Sequence, residues 1–399
     1  MTRVQPKILI VARLPKSGQA ATGAAIGTSI FLEQVSARFE TIVVRLDADG
    51  LATLGADQTG RLKQTVRTLG ASFRALGAAA FAALRHRPDV VYMLPATTTL
   101  GLLRTALMVL VLGAISPRAP LVFHIRNGNF DKPKSGVLGA VQRWCNRRAD
   151  KVFVLSARLL PQELSSIGLA ADQVAVLPNT IDRDLIPTSD RPARAVGPVR
   201  LLYLSNFIPT KGYLRLLEAL EILADRGLGE SFEATFRGAW LSDTDRQDAE
   251  ALAQKIQGKG LRVDLGGAVT NRQDAQSLFA DHDVFCLPTF YAAEAQPRSI
   301  LEAMANGCAV VATDYRAIPD MVLDGRTGWL LSDGPTPEEI ADCVAGISQD
   351  NAQKFGRAGK ARFEAHFSPS AIEARVHDAL TKDRSKRSEV ADLGQGSEA

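Results

Sequence analysis

Short apolar runs alternate with longer segments of helical periodicity along most of the chain. Continuous apolar runs are typical of strands in a parallel sheet that is covered on both faces. We predict strands at residues 7–12, 41–46, 89–94, 121–125, 149–155, 173–177, 199–205, 232–237, 262–265, 284–288 and 309–313. We predict helices at residues 26–38, 100–115, 157–167, 213–224, 297–306, 340–348, 352–366 and 367–380, with one or two more in 60–87. This alternation predicts an α/β protein with parallel sheets.

The composition is that of an ordinary soluble protein with two domains. Of the 399 residues 46% are hydrophobic and 23% are charged, which is enough for two buried cores. The formal net charge of +4 is too small to indicate a nucleic-acid partner. Pro, Gly and charged residues at 187–197 suggest a linker. We therefore predict domains at 1–190 and 191–368, a final helix at 369–381, and a disordered tail at 382–399.

The cysteines and the apolar segments indicate the cellular compartment in which we expect the protein. Four cysteines lie far apart, without a C-x-x-C or His-x-His cluster: Cys145, Cys286, Cys308 and Cys343. Buried, reduced thiols favour a cytosolic protein. The apolar run at 8–12 is too short for a signal peptide. Segment 100–115 carries Arg104 and is shorter than the roughly 20 residues of a membrane span, so we expect a buried helix, with surface attachment as the alternative.

Segment 60–87 is basic and contains no acidic residue. Its apolar residues recur at helical spacing, which predicts an amphipathic helix with a cationic face. The cationic residues are Arg61, Lys63, Arg67, Arg74, Arg85, His86 and Arg87. This face either is solvated while the helix packs on the sheet, or contacts anionic lipid headgroups.

Two glutamates flank a predicted helix start in segment 284–331. The helix begins near Pro297 and ends near Asn306-Gly307, so Glu294 lies in the preceding loop and Glu302 lies within the helix. The amides of a helix N-terminus favour anions. Glu302 is either a solvated helix residue or a ligand contact. Its apolar neighbours favour the second alternative, because an unpaired buried carboxylate is costly.

The residues E-A-Q-P-R-S-I-L-E-A-M-A at 294–305 resemble the E-x7-E segment of family 4 glycosyltransferases. These are the group 1 retaining glycosyltransferases of the GT-B fold, in which two Rossmann-like parallel α/β domains face a central cleft. The resemblance implies that Glu294 faces the donor sugar and that Glu302 binds the nucleotide ribose. It also implies that the final helix crosses back to the first domain. The neighbouring donor-binding candidates are Gln296, Pro297, Arg298 and Ser299.

Lys211 is the candidate for contact with the donor diphosphate. The segment N-F-I-P-T-K-G at 206–212 resembles the family's G-R-x-x-x-x-K-G element, with Lys211 retained and Asn206 in place of the usual Arg. A lysine beside a helix N-terminus is unfavourable unless an anion lies between the two positive groups. Asn206 can donate a neutral hydrogen bond but cannot form a bidentate charged pair.

Three candidates lie in the first domain. Gly23, in the loop after the first strand, resembles the glycine that lies near the donor diphosphate and the acceptor. Family members carry a histidine near the donor sugar in a His-Gly loop after the strand that we predict at residues 121–125. This chain departs from that pattern, because the positions before the glycine read Arg126-Asn127 and His124 lies two residues earlier, so His124 and Arg126 are both candidates. Both side chains point the same way if the strand alternates. A core histidine and an ordinary turn glycine are the alternatives.

The resemblance implies a retaining glycosyltransferase that moves a sugar from a UDP- or GDP-sugar co-substrate to an acceptor hydroxyl. It implies front-face displacement without an enzyme nucleophile, metal or other cofactor. We expect a glycan or lipid-linked acceptor, bacterial surface polysaccharide or lipid-linked glycan synthesis, and a cytoplasmic location, with peripheral attachment to the inner face of the membrane as the alternative. The alternatives are a nucleotide-sugar epimerase and a catalytically weak partner in an assembly complex. Asn206, and Thr180 in place of a usual Gly, favour the weak partner.

Overall fold

The computed structural model of the chain describes residues 5–15, 23–46, 58–130, 132–188, 191 and 197–380, with the backbone alone for 58–68. The chain forms two compact units, Met1–Pro178 with Glu373–Ala399, and Asn179–Ile372, as far as these ranges are described. The division falls before the predicted boundary at residue 190, because Ile181 and Leu185 are buried in the core of the second unit. The predicted tail and most of the predicted linker lie outside the described residues.

The described part of the first unit contains one six-stranded parallel sheet. Its strands are β1 (Lys7–Ala12), β2 (Glu40–Arg45), β3 (Val90–Met93), β4 (Leu121–Ile125), β5 (Lys151–Val154) and β6 (Val174–Val176). Their order across the sheet is β2-β1-β3-β4-β5-β6. The helices are α1 (Gly23–Ser36), α2 (Gln58–His86), α3 (Thr99–Ile115) and α4 (Gly136–Arg148).

The second unit contains another six-stranded parallel sheet within its described residues. Its strands are β7 (Val199–Leu204), β8 (Phe232–Arg237), β9 (Arg262–Gly266), β10 (Val284–Leu287), β11 (Ala309–Thr313) and β12 (Gly328–Leu331), in the order β12-β11-β10-β7-β8-β9. The helices are α5 (Tyr213–Asp225), α6 (Asp243–Gly258), α7 (Arg272–Asp281), α8 (Arg298–Ala305), α9 (Ile318–Met321), α10 (Pro337–Ala345) and α11 (Gln349–His366). A last helix, α12, spans residues 369–380.

Both sheets are the parallel α/β sheets that the sequence predicts. The central strands are apolar on both faces: every residue of β11 is buried, as are the residues of β1 from Ile8 to Ala12. In each sheet the strand order reverses beside the first strand, between β1 and β3 and between β7 and β10. Ligands of such sheets bind at these reversals, outside the carboxyl ends of the strands. The loops after β7 and β10, like those after β1 and β3, therefore lie where ligands of such sheets bind.

The prediction of one helix over 157–167 is wrong. Two short 3-10 turns, Ala157–Leu159 and Leu164–Ile167, occupy this segment. Ser156 does accept a hydrogen bond from the backbone N–H of Arg158 (3.0 Å), as a helix cap would. Leu160 is extended, because the proline that follows it disfavours the helical conformation.

The prediction that segment 100–115 is a buried helix is only half right. Helix α3 buries Leu102, Met108, Val109 and Leu112, but its outer face is 44–57% exposed at Leu100, Leu103, Leu107 and Leu110. The helix has large apolar side chains on both its inner and its outer face, yet it packs on the unit from one side. None of the helices within the described ranges is both long enough and apolar enough to cross a bilayer.

The four cysteines are free thiols, with Cys145, Cys286 and Cys308 buried and Cys343 half-buried. Burial raises the pKa of the Cys145 and Cys308 thiols to about 11. This agrees with the expectation of reduced, unreactive thiols, except that Cys343 is not fully buried.

Two glycines of α11 provide a test of packing. A Cβ at Gly356 would lie 2.0 Å from the carbonyl oxygen of Gly307, whereas a Cβ at Gly359 would make only contacts of 3.7 Å and longer. We expect Gly356→Ala to lower the free energy of unfolding by roughly 1–3 kcal/mol through overpacking. Gly359→Ala should raise it by roughly 0.5–1 kcal/mol, because alanine favours the helix.

Denaturant unfolding of the two full-length variants beside wild type measures the difference. Equal changes of the same sign in both variants would show that α11 does not approach the turn after α8 this closely.

Candidate functional site

Lys211 lies where β7 ends, in the loop that leads to α5. A short 3-10 turn, Pro209–Lys211, ends at Gly212, whose φ is +86°. A Cβ at Gly212 would lie 2.2 Å from the carbonyl oxygen of Pro288, in the loop after β10. Glycine is therefore needed at this position both for its backbone conformation and for the contact between the two loops.

Lys211 and Glu294 form an ion pair. The Lys211 Nζ donates to Glu294 Oε2 at 2.6 Å, and their side chains are only 15% and 8% exposed. Thr289 Oγ1 donates to the same oxygen at 3.2 Å. Nζ also lies 4.9 Å from the centre of the Tyr291 ring, close enough for a cation–π contact. The two predicted catalytic residues of this unit are thus in direct contact.

The Glu294 carboxylate retains capacity for a ligand. Both bonds reach Oε2, and no partner of Oε1 occurs among the described residues. The Lys211 ammonium has three donors, of which the pair with Glu294 uses one. The pair can therefore bind an anion through the ammonium and a hydroxyl through the free carboxylate oxygen.

Helix α8 begins beside this pair in sequence, with Pro297 as its extended N-cap residue. Arg298, in its first turn, lies 3.4 Å from Asp182 and 3.9 Å from Glu302. Asp182 also contacts Arg272 at 3.7 Å. Both predicted α8 residues therefore belong to one group of charges, in which two carboxylates flank the Arg298 guanidinium.

Two buried donors next to this helix start lack hydrogen-bond partners within the described residues: Arg298 Nη1 and Gln296 Nε2. Both oxygens of Gln296 are bonded, since Oε1 accepts from the Asn179 N–H at 2.5 Å and the carbonyl oxygen accepts from Asn179 Nδ2 at 3.1 Å. Buried donors are rarely left unsatisfied, because each one forfeits its hydration. These two donors are available to a ligand that carries acceptor oxygens.

The pKa of Glu302 is raised above its ordinary value. Burial is the main cause, Arg298 opposes it, and the negative charge of Asp182 adds to it. The folded protein therefore holds this carboxyl where its ionised form is disfavoured. A solvated helix residue would not show this shift, so the solvated alternative is not supported, and the ligand contact of Glu302 stays a prediction.

His124 lies inside the first unit. It is 1% exposed, its Nδ1 lies 2.8 Å from the Tyr92 hydroxyl, and the rings of Phe31 and Phe153 pack against it edge-on. Burial and the charge of Arg126 hold the pKa of His124 well below its ordinary value, so it is neutral. This placement supports the alternative of a core histidine and does not favour contact with a sugar.

Arg126 is half-buried, and its charge opposes the burial that raises the pKa of Tyr92 to about 12. Gly23 is exposed as the first residue of α1, with open space where a Cβ would be. The roles proposed for both residues stay predictions.

In the second unit, Asn206 is exposed and Ser299 is half-buried in α8. The sequence analysis did not single out Asp182 or Thr289 as site residues. Asp182 ends the segment P-N-T-I-D at residues 178–182, which resembles the family's P-N-G-I-D turn and could have identified it, whereas no sequence pattern points to Thr289. Over the described ranges, no group of three or more potential metal ligands is brought together.

Two family models match most of the chain. One, described as a glycosyl transferase 4-like domain, matches residues 11–180, and the other, described as glycosyl transferases group 1, matches residues 198–350. The chain belongs to the group 1 glycosyltransferases. This membership agrees with the resemblance seen in segment 294–305.

Named relatives of this group 1 glycosyltransferase include two from polysaccharide synthesis. It is 24% identical over 242 residues to a protein of Escherichia coli K12 named as the colanic acid biosynthesis glycosyltransferase WcaL. It is 26% identical over 222 residues to the amylovoran biosynthesis glycosyltransferase AmsK of Erwinia amylovora. These matches cover 59% and 53% of this chain, and 57% and 51% of the relatives, so the chain spans about half the length of the curated relatives it matches.

Solved structures share the fold of this group 1 glycosyltransferase. The Anabaena protein HepE, crystallised with UDP and glucose, has a TM-score of 0.64 at 20% identity and matches 94% of this chain and all of its own. Sucrose-phosphate synthase from Thermosynechococcus elongatus has a TM-score of 0.67 at 18% identity and covers 95% of this chain and 100% of its own. The two parallel α/β units therefore have the GT-B fold.

The raised pKa of Glu302 predicts a change in stability. Between the pKa of the unfolded chain and the higher pKa of the fold, the folded state binds more protons, so its stability falls as pH rises through that window. We expect Glu302→Gln, without nucleotide, to raise the free energy of unfolding at pH 7. The gain should shrink as pH falls towards the ordinary value of 4.5.

Denaturant unfolding at pH 5, 6 and 7 measures this effect, with exposed Glu230→Gln as the control that should change little at each pH. A less stable Glu302→Gln at pH 7 would mean that Arg298 stabilises the carboxylate more than burial disfavours it.

Proposed function

We propose that this group 1 glycosyltransferase is a retaining enzyme that transfers a sugar from a nucleotide-diphosphate sugar to an acceptor hydroxyl. The observation that carries the proposal is the Lys211–Glu294 pair, held where β7 and β10 end and the strand order reverses. A site for such a donor needs a cation to bind the diphosphate and a hydrogen-bond acceptor to bind a hydroxyl of the donor sugar. The Lys211 ammonium is the cation and the Glu294 carboxylate is the hydrogen-bond acceptor, and their Nζ and Oε2 atoms lie 2.6 Å apart.

The leaving diphosphate gains negative charge as its bond to the sugar breaks, and fixed donors aimed at that charge lower the barrier. Lys211 supplies the ammonium, and the first amides of α8 supply partial positive charge. Arg298 Nη1, which has no hydrogen-bond partner in the described part of the chain, can donate to a phosphate or ribose oxygen. Glu294 orients the sugar through its free oxygen, and Glu302 accepts from the ribose hydroxyls.

No step in this proposal forms a bond between the sugar and the protein. The acceptor hydroxyl attacks the anomeric carbon on the face that the diphosphate leaves, and its proton passes to a departing phosphate oxygen. Cationic side chains and the partial positive charge at the N-terminus of α8 neutralise the diphosphate, so the proposal requires neither a metal nor another cofactor. Glu294 is held by Lys211 and Thr289 and acts by orienting the sugar.

The donor class and the pathway rest on relatives. HepE was crystallised with UDP and with UDP-glucose, which supports a UDP-sugar, with a GDP-sugar as the other candidate. WcaL and AmsK are named for colanic acid and amylovoran synthesis, which supports bacterial surface polysaccharide or a lipid-linked glycan as the product. Cytoplasmic synthesis at the membrane surface is part of the same proposal.

The nucleotide preference can be measured by thermal shift with UDP, GDP, ADP and their sugar conjugates. A nucleotide at about a hundredfold its Kd should raise the free energy of unfolding by about 2.7 kcal/mol. We expect this rise in the free energy of unfolding with the nucleotides of one base only. We expect the rise to be absent in Lys211→Ala and in Glu302→Ala.

Lys259→Ala is the matched control, since Lys259 forms ion pairs with Glu221 and Asp225 in the same unit. It should keep the nucleotide-induced gain. If no nucleotide stabilises the wild type, the active enzyme is excluded, and the non-catalytic partner that Asn206 favours takes its place.

Stereochemistry tests the retaining mechanism. Proton NMR of the product formed from an α-linked donor and a simple acceptor should show an α-linkage. A β-linked product would exclude front-face displacement, whereas Glu294→Gln should slow transfer without changing the anomer.

A further inference from the structure

Large apolar side chains are exposed mainly on two helices of the first unit. Within the described residues, eight of the eleven exposed large apolar side chains belong to α2 and α3. They are Leu69, Phe73, Phe81, Leu84, Leu100, Leu103, Leu107 and Leu110. Clustering of this kind marks an interaction surface, because single exposed apolar residues are otherwise scattered.

Helix α2 packs with its small residues inward. Ala75, Ala79 and Ala83 are buried in the core, whereas Phe73 and Phe81 are 63% and 69% exposed. An ordinary amphipathic helix buries its largest apolar residues. The exposed phenylalanines of α2 are therefore available to a ligand or partner outside the core of the unit.

A groove of about 540 Å³ lies between α2 and α3. Its volume is in the range of about 300–1,000 Å³ that is typical of small-molecule sites. Leu69, Phe73 and Leu76 line it from α2, and Leu100, Leu103 and Leu107 line it from α3. Arg13, which directly follows β1, and Thr98, in the loop after β3, place the groove at the strand reversal of the first sheet, where ligands of such sheets bind.

Two cations lie in this apolar groove, Arg13 and Arg104. No acidic partner of either guanidinium occurs among the described residues. Burial and the charge of Arg13 lower the pKa of Arg104 below its ordinary value, so the two guanidinium groups repel each other. An anion between them would relieve this repulsion.

We propose that the groove binds one anionic amphiphile, with a phosphate on Arg13 and Arg104 and a hydrocarbon chain between α2 and α3. The apolar lining alone would suit any hydrophobic partner, but two cations that have no acidic partner in the described part of the chain select a phosphate-bearing lipid. Such a lipid would be the carrier of the acceptor, and in this respect the inference rests on the proposed function.

Isothermal titration of the full chain with dodecyl phosphate, below its critical micelle concentration and without nucleotide, tests the proposal. Arg104→Gln should weaken binding about tenfold or more, since a charged hydrogen bond is lost. Leu107→Asp should abolish binding, because it places a carboxylate in the groove. Leu107 is 44% exposed, so the variant should fold.

Two substitutions on the same helices are matched controls. Leu110 is exposed on α3 and Arg85 on α2, and neither lines the groove. Leu110→Asp and Arg85→Gln should bind dodecyl phosphate within about twofold of wild type. Equal loss in the controls would overturn the groove as the site.

The ligand series distinguishes the remaining alternatives. Dodecyl maltoside should bind at least about tenfold more weakly than dodecyl phosphate, and inorganic phosphate should not compete at equal concentration. Competition by inorganic phosphate would show a free-anion site and overturn the proposal. Binding only to vesicles of anionic phospholipid, or a dimer that Leu107→Asp dissociates, would show a bilayer surface or a second copy of the chain instead.

Failure of this inference can be distinguished from failure of the proposed function. Lys211→Ala and Glu302→Ala alter the other unit and should leave dodecyl phosphate binding unchanged. Leu107→Asp should leave nucleotide-induced stabilisation unchanged. If the wild type is stabilised by nucleotide but does not bind dodecyl phosphate, this inference fails alone, and the reverse result means that the proposed function fails alone.

Discussion

The candidate site depends on the Lys211–Glu294 ion pair, which is largely removed from water. Either charge alone would be costly at this depth, so each requires the other. The pair also requires β7 and β10 to be neighbours, because its residues lie in the loops that follow these strands. Gly212 lets the two loops touch at Pro288, and Thr289 fixes the carboxylate oxygen that receives the ammonium. The geometry is thus established before any ligand binds, which is the condition for electrostatic stabilisation without reorganisation.

Around this pair lie buried polar groups that lower the stability of the folded protein. Glu302 is held where ionisation is disfavoured, and Arg298 and Gln296 keep buried donors without partners in the described residues. A core selected only for stability would replace or satisfy such groups. Conflicts of this kind are expected at functional sites, where binding of a ligand resolves them. Their position at the start of α8 is where an anion would be most favourable.

The first unit shows a different conflict, between an apolar surface and water. Its α2 buries alanines and exposes phenylalanines, its α3 has leucines on both a buried and an exposed face, and a pair of arginines lies in the groove between them. Its histidine candidate lies in the core instead, held by Tyr92 and aromatic rings. The first unit therefore offers apolar contact and positive charge to a ligand, whereas the second offers a structured set of hydrogen-bond donors and acceptors.

The sequence by itself determined the two parallel α/β sheets, because strands buried on both faces must be continuously apolar. It also singled out Lys211, Glu294 and Glu302, because the short segments that carry them resemble family motifs. It misjudged segment 157–167, where Pro161 interrupts the helix, and α3, where an apolar composition does not say which face is covered. Only the tertiary structure decided that Lys211 meets Glu294, that Asp182 joins Arg298, and that His124 is buried. These outcomes depend on which strands are neighbours and on how the loops between them pack, and residues 83 or 116 positions apart carry no local signal of their contact.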